Sequence, residues 1–396
     1  MNIDRAALQS ASADVERSRR ALDASVNRLL LAAQPGSAPE PDPQPDPTPQ
    51  PEQPAFRPSL LGTEQIQTGT NRYQRLRTAD LDDADNIIFD GFGNPDMPHG
   101  ISQANSNIDT ATKVVVRNSY LQGRGSDYIN PIALQQREGQ LPVSLRIEDS
   151  IVVDPSHNGV YMMNSHPSAS GTIELYGSAF VDSTYRQGNV RRDHHGYYDG
   201  SHKRAVVRDC VFIGGSASSL KFLDTEQIIV ENCVFVDSGY GVEVGDSGRD
   251  NDGTGFRKSD VTFGNCLFYN MTDREQQHWG FGVYLRWADA LFENCHIANP
   301  VDTLGFDDQP VFVETWGGRT TTLNGELNVY GYGNRDVRIK AGRGGRVENN
   351  LRVNRLPALP QITDTDLDGA ASLLLRRDWK AADYQEWIAE RLGVTL

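Results

Sequence analysis

The chain carries 53 acidic side chains against 38 lysines and arginines in 396 residues, a formal net charge of −15 at pH 7. That balance excludes a nucleic-acid partner, because phosphate binding needs a basic face, and no stretch reaches the apolar length of a membrane span. A chain of this length holds two or three ordinary domains, yet one repeat absorbs most of it.

The opening segment, MNIDRAALQSASADVERSRR, lacks an apolar run and so is not a secretory signal of the usual kind. Leu8, Val15, Leu22 and Leu29 stand seven apart, with Ala11, Ser18, Ser25 and Ala32 three positions after each. This spacing predicts one helix over residues 1–33, either in a coiled coil or in a groove on a partner. An isolated amphipathic helix has nothing to pack on, so its stripe calls for another chain, the rival being a fold back onto its own body. Residues 34–58 hold ten of the chain's 20 prolines. They predict a semi-rigid polyproline II spacer of about 70 Å when extended, at about 3.1 Å per residue. Residues 59–112 contain poor copies of the later repeat, with Ile87, Ile88 and Phe89 as the best strand. They are expected to cap the first coil of the repeat region.

Two phrases, AVVRDCVFIGG from Ala205 and IIVENCVFVDS from Ile228, define the repeat. Counting from the cysteine, apolar residues stand at minus five and minus three, Asn, Asp or Gly at minus one, an aromatic or aliphatic residue at plus two, and Asn, Asp or Gly again at plus four. The template fits Ser119, Ser150, Ser178, Cys210, Cys233, Cys266, Cys295 and, less well, Asn350, with room for a degenerate copy around Val329. Asn, Asp and Gly tolerate left-handed backbone angles, so both flanking columns read as turns. Between them the apolar residues alternate at period two, a strand signal. A third alternating run comes after these two in most copies: VYMMN from Val160, LKFLD from Leu220, VEVGD from Val242, VYLRW from Val283, VFVET from Val311 and VRIKA from Val337. A unit this short cannot bury its own apolar face, so copies must stack.

Three short strands per coil, over about eight to ten coils in residues 113–356, resemble the right-handed parallel β-helix of pectate-lyase-like proteins, a fold used in bacteriophage tailspikes and tail fibres. The expected class is all-β. All four cysteines share one column, which predicts a buried ladder of small side chains at a spacing of roughly 4.8 Å, ill suited to disulfides or a tetrahedral metal. Thiols in a core column point to folding in a reducing cytoplasm. Phe180, Phe212, Phe235 and Phe268 are expected to form a second interior stack.

Outward positions of the third strand make a long groove in this architecture. The column predicted there is Tyr161, Tyr198, Lys221, Glu243, Tyr284 with Arg286, and Phe312 with Glu314; loops beside it bring His194, His195, Tyr197 and Trp279, and Trp287 comes directly after Arg286. Such aromatic and charged side chains suit carbohydrate stacking and hydrogen bonding. The run His194, His195, Gly196, Tyr197, with Ser219, Leu220 and Lys221 about two dozen residues later, resembles a His-His-Gly-Tyr and Ser-x-Lys pairing of polysaccharide-associated β-helix proteins. For a lyase, Lys221 or Tyr198 is the candidate base and Arg286 or a bound cation the group that neutralises a uronate carboxylate. For a hydrolase, Glu243 and Glu314 are the candidate pair, two coils apart and offset by two residues. The plain alternative is a cross-strand ion pair between Lys221 and Glu243.

Residues 357–396 break the pattern; Leu373, Leu374, Leu375, Trp379, Tyr384, Trp387, Ile388 and Leu392 predict an amphipathic helix that closes the far end or packs between subunits. Asp364, Asp366 and Asp368 with Gly369 begin like a calcium loop, but Leu375 occupies the place of the bidentate glutamate; the rival reading has Asp368 capping the helix. Calcium is the one cofactor these residues admit. The serial layout of helix, spacer and solenoid resembles a bacteriophage tail-fibre or tailspike arm. It implies residues 1–33 bound to a tail or baseplate protein, a homotrimer, a host surface glycan as ligand, and a place in the virion tail after assembly in the host cytoplasm. The alternative is a free bacterial polysaccharide lyase or glycoside hydrolase.

Overall fold

A computed structural model describes residues 60–68, 71–78, 86–91, 93, 95–96, 100–102, 113–122, 130–136, 144–154, 158–164, 171–182, 195–200, 202–215, 217–245, 258–271, 280–299 and 309–396. The helix expected over residues 1–33 and the spacer over 34–58 lie outside these residues. The body is a parallel β-solenoid. One coil runs Arg204–Arg208, Val211–Ile213 and Ser218–Leu223, and the next repeats it as Gln227–Glu231, Val234–Val236 and Tyr240–Gly245. The first two runs of each coil build a 17-stranded sheet and the third a 9-stranded sheet. All pairings within both sheets are parallel; an antiparallel hairpin, Leu60–Thr68 with Asn71–Thr78, forms a separate sheet. Asn86–Asp90 pairs in parallel with Lys113–Arg117, so the solenoid begins inside the segment expected only to cap it.

The turn column behaves as its residue types require. Asn118, Asp149, Gly177, Asp209, Asn232, Asn265 and Asn294 all have φ between 43° and 55°. The side-chain amides then run along the stack: Asn232 donates to Asp209 at 3.1 Å, Asn265 to Asn232 at 3.0 Å and Asn294 to Asn265 at 3.0 Å. At plus four the left-handed angle recurs at Gly214, Asp237 and Asn270.

The next column is the ladder of small side chains. Ser119, Ser150, Ser178 and all four cysteines are buried, and the cysteines are free thiols. Each thiol lies 3.2 to 3.5 Å from the carbonyl oxygen two residues before it. Burial pushes the Cys233 and Cys295 thiols well above their ordinary value, which keeps them protonated. Two residues on, Phe180, Phe212, Phe235 and Phe268 stack with centroids 4.7 to 4.9 Å apart and planes within 8°.

The repeat breaks down at the far end. Cys295 pairs with Leu327, and Leu327 with Val353, so Asn350 does not continue the cysteine column. Thr320–Tyr330 runs straight through the place where earlier coils turn, with a register shift opposite Phe292 to Cys295. Gly325 sits there at φ +95, and a Cβ would lie 2.0 Å from the Phe292 carbonyl oxygen, so this crossing admits only glycine.

The C-terminal segment forms two helices, α1 (Asp364–Leu375) and α2 (Ala381–Leu392). They do not close the far end. Leu367, Leu374, Tyr384, Ile388 and Leu392 pack instead on the outward face of the second strand column, with Ile151, Val153, Val181, Val211, Ile213, Val234, Val236 and Leu267. Polar contacts fix the same seat: Gln385 donates to the carbonyls of Cys210 and Asn232, and Arg377 to that of Asn118. The calcium-loop expectation fails here too. Asp364, Asp366 and Asp368 stand on helix α1, where Asp366 points about 200° away from Asp364 and from Asp368, so the three cannot converge on one ion. The cap is Thr363, whose hydroxyl accepts from the Asp366 amide, and not Asp368. No cluster of metal-binding side chains occurs among the described residues.

Because Phe235 is flanked by identical rings on both sides, Phe235→Ala is expected to cost about 3–5 kcal/mol. Chemical denaturation monitored by circular dichroism measures it, and an unchanged midpoint contradicts the stack.

Candidate functional site

The third-strand column assembles in the register its sequence implies. Tyr161 pairs with Tyr198, Tyr198 with Lys221, Lys221 with Glu243, Glu243 with Tyr284, Tyr284 with Phe312, and Phe312 with Arg338. Arg286, Glu314 and Lys340 make a second column two residues along, also in register. The inward neighbours Val160, Leu220, Val242, Val283 and Val311 are wholly buried, and strand alternation turns the other column outward.

Glu243 is the electrostatic centre of this face. Its side chain is 5% exposed and takes Lys221 Nζ on Oε2 at 3.2 Å and Arg286 Nη2 on Oε1. The cross-strand ion pair is therefore present, with a second cation added. Two coils and two residues on, Glu314 accepts from Tyr284 Oη at 2.6 Å and from Lys340 Nζ. Burial alone pushes the Glu314 carboxyl upward, but the Lys340 and Tyr284 hydrogen bonds outweigh it and hold the group below its ordinary value. For Tyr284, burial comes first, and the neighbouring Glu314 charge adds to it, so its phenol is raised and stays protonated.

These states bear on chemistry. A glycosidase needs one carboxyl kept protonated as general acid, whereas Glu314 is held ionised and Glu243 faces two cations. Lys221 and Arg286 meet on one carboxylate. Arg286 also lies 5.1 Å from the Tyr284 ring centroid, a cation–π arrangement.

The remaining predicted residues divide. Tyr161 is half-buried at the head of the column. Tyr197 and Tyr198 are placed by their backbone in strand His195–Gly200, opposite Leu220 and Lys221. The two halves of the His-His-Gly-Tyr and Ser-x-Lys pairing are thus adjacent strands. His195, expected at a ligand surface, is only 4% exposed, and its Nδ1 lies 2.6 Å from Ser218 Oγ, so it belongs to the fold. His194 and Trp279 lie outside the described residues. Trp287 is half-buried at φ 51°, an outlier for so bulky a residue, and carries the Arg319 guanidinium 4.2 Å over its ring.

An aromatic cluster escaped the sequence reading. Tyr240 and Phe281 stack at 5.4 Å, Phe281 lies 4.8 Å from Phe312, and Phe312 stacks on Tyr284 at 5.0 Å. Phe312 is consequently 1% exposed and not a groove residue. The signal was an aromatic between two glycines, in Gly239-Tyr240-Gly241 and Gly280-Phe281-Gly282. A Cβ at Gly241 would meet the Phe268 ring at 2.3 Å and one at Gly282 would meet Ile297 at 2.5 Å.

Comparison of the chain with protein-family models, with curated proteins and with solved structures finds no match. The chemistry of the site rests on its own side chains.

Glu243→Gln leaves Lys221 and Arg286 facing each other without a counter-charge, and is expected to cost about 3–5 kcal/mol in chemical denaturation. The acid limb tests Glu314 separately. A depressed folded pKa contributes stability that is complete above the unfolded value and is lost as pH falls through the folded one. Glu314→Gln should flatten the loss of stability on the acid side of the ordinary glutamate value and leave its slope near neutrality unchanged.

Proposed function

We propose that this protein is an adhesive arm, of the bacteriophage tail-fibre or tailspike kind, that binds a surface polysaccharide along the outward face of its 9-stranded sheet. The supporting observation is the continuous register from Tyr161 through Lys221, Glu243 and Tyr284 to Arg338. Along it Tyr161, Lys221, Tyr284 and Arg338 are partly exposed, with Glu243 and Phe312 buried between them, so rings and hydrogen-bonding groups recur in steps of the strand spacing of about 4.8 Å, a repeat a polymer can track. Ion pairs hold these groups in place before any ligand arrives, which lowers the ordering cost of binding. Residues 1–33 are the proposed attachment to a tail or baseplate protein, and assembly in a host cytoplasm fits the four unpaired thiols.

A second reading, a polysaccharide lyase, is favoured by one observation, the pairing that sets Tyr198 beside Lys221. Binding without turnover is the better reading, because Lys221 is engaged by Glu243.

Incubation with uronate-containing and neutral surface polysaccharides separates the two. Retention of a polysaccharide with neither ultraviolet-absorbing unsaturated ends nor new reducing ends is the expected result, and Tyr284→Ala should weaken retention about tenfold or more, by the loss of one stacking ring. Unsaturated products support the lyase, and failure to retain any polysaccharide overturns both.

A further inference from the structure

The corner that follows the third strand of a coil changes character toward the far end. After Ser218–Leu223 it is turned by Asp224 at φ 54°, an angle to which aspartate is suited. After Phe281–Arg286 the corner residue is Trp287 at φ 51°, where a bulky side chain carries a steric cost that glycine, asparagine or aspartate would avoid. The ring placed there is half-buried and carries the Arg319 guanidinium at 4.2 Å. Trp316, half-buried one coil on, lies 5.8 Å from the same guanidinium. Two indoles therefore hold Arg319 by its flat face, the contact that does not use its fork of N–H donors.

The last corner stacks directly on this one. The Gly317 amide donates to the Arg343 carbonyl at 3.0 Å, and the Arg346 amide to the Arg319 carbonyl at 2.9 Å. The two turns touch backbone to backbone, since a Cβ at Gly345 would lie 2.7 Å from the Thr315 carbonyl oxygen. Beside them the space is open: a Cβ at Gly317 or Gly318 would meet nothing within 4 Å. Residues 316–319 and 341–346 hold Arg319, Arg343 and Arg346 and no aspartate or glutamate, in a chain of net charge −15. Arg343, Arg346 and the nearby Glu348 are exposed and enter no ion pair among the described residues; the pairs of this end belong to Lys340, Arg352 and Arg355. Three arginines outnumber that one acid, and Glu314, the next acid along, is bound by Tyr284 and Lys340.

We propose that this tryptophan–arginine corner is an oxyanion subsite, which takes a carboxylate, sulfate or phosphate carried on a sugar ring of the polysaccharide. It rests on the adhesive reading above and adds to it a preference for acidic polymers. Guanidinium forks match the paired oxygens of such groups, and the indoles offer the sugar ring a flat apolar face beside them. Trp287 follows Arg286 directly and Trp316 comes two residues after Glu314, so a polymer lying along the outward face passes this corner. The strained angle at Trp287 then has a use, because it sets the ring under Arg319 before a ligand arrives.

Binding of the full chain to immobilised dextran sulfate, polygalacturonate and neutral dextran tests it. The net charge of the chain opposes either acidic polymer everywhere except at such a corner. At least one acidic polymer should be held about tenfold or more tightly than dextran, and the difference should shrink as salt rises. Arg343→Ala with Arg346→Ala should weaken the acidic polymer about tenfold or more. Trp287→Asn removes the ring with a residue suited to the left-handed angle. It should weaken the acidic polymer comparably while the thermal midpoint stays unchanged or rises, which separates loss of the subsite from loss of the fold. Acidic-polymer binding that is indifferent to these variants overturns the proposal even where Tyr284→Ala lowers retention and the adhesive reading stands. No preference for an acidic polymer overturns it as well. So does binding of inorganic phosphate alone, lost in the arginine variant, which assigns the corner to a free anion.

Discussion

In a parallel solenoid each side chain sits one coil spacing, about 4.8 Å, from its counterpart above and below. Every column must therefore be made of residues that tolerate their own kind or alternate with a complement. The interior obeys the first rule, with rings on rings at Phe180, Phe212, Phe235 and Phe268 and thiols above hydroxyls in the column before them. Turns obey it through amides, because Asn can donate to the copy on one side and accept from the copy on the other, as Asn265 does between Asn232 and Asn294. The polar face obeys the second rule, with Lys221 beneath Glu243 and Glu314 beside Lys340. A like-charged column at this spacing would repel at every step.

The same rule explains where the helices go. Val211, Ile213, Val234, Val236 and Leu267 stand at outward positions of the second strand column, and an uncovered stripe of that kind invites association. Helices α1 and α2 cover it along the side, and Tyr269 Oη accepts from the Ile362 amide to pin the approach. That use of the C-terminal segment has two consequences. The third column stays uncovered by these helices, with its rings and charges in continuous register, and these helices do not cover the far end of the solenoid.

Registry was legible in the sequence because one short phrase recurs with its turn residues attached; the positions around Cys210 and Cys233 predicted left-handed turns, buried thiols and outward Lys221 and Glu243, and the structure has all of them. What escaped was everything that depends on contacts between distant segments. In Cys210-Val211-Phe212-Ile213 the apolar residues do not alternate but run on, the pattern of a strand buried on both faces. That run already announced a cover over the second column, but not which segment supplies it. Likewise, acidic spacing in residues 364–368 matched the start of a calcium loop, whereas the leucines after it drew the same residues into a helix packed on the solenoid. His195 follows a related logic: a histidine beside a variable loop suggests a ligand contact, whereas the structure buries it with its Nδ1 at 2.6 Å from Ser218 Oγ on the next coil.

The distribution of charge on the outward face bears most directly on the binding proposed for it. A catalytic acid or base gains from a partner that leaves it poised near neutrality, while a column of complementary charges engages each group with its neighbours above and below. Glu314 shows the effect: burial works to raise its pKa, and the ladder partners Tyr284 and Lys340 more than reverse it. Glu243 is buried between two cations, Lys221 and Arg286. Stacking therefore holds the charged side chains of this sheet in fixed pairs, which only a competing carboxylate could exchange for Glu243 at one of its two cations. Such an exchange trades one anion for another at Lys221 or Arg286, and it leaves the geometry of the two cations unchanged.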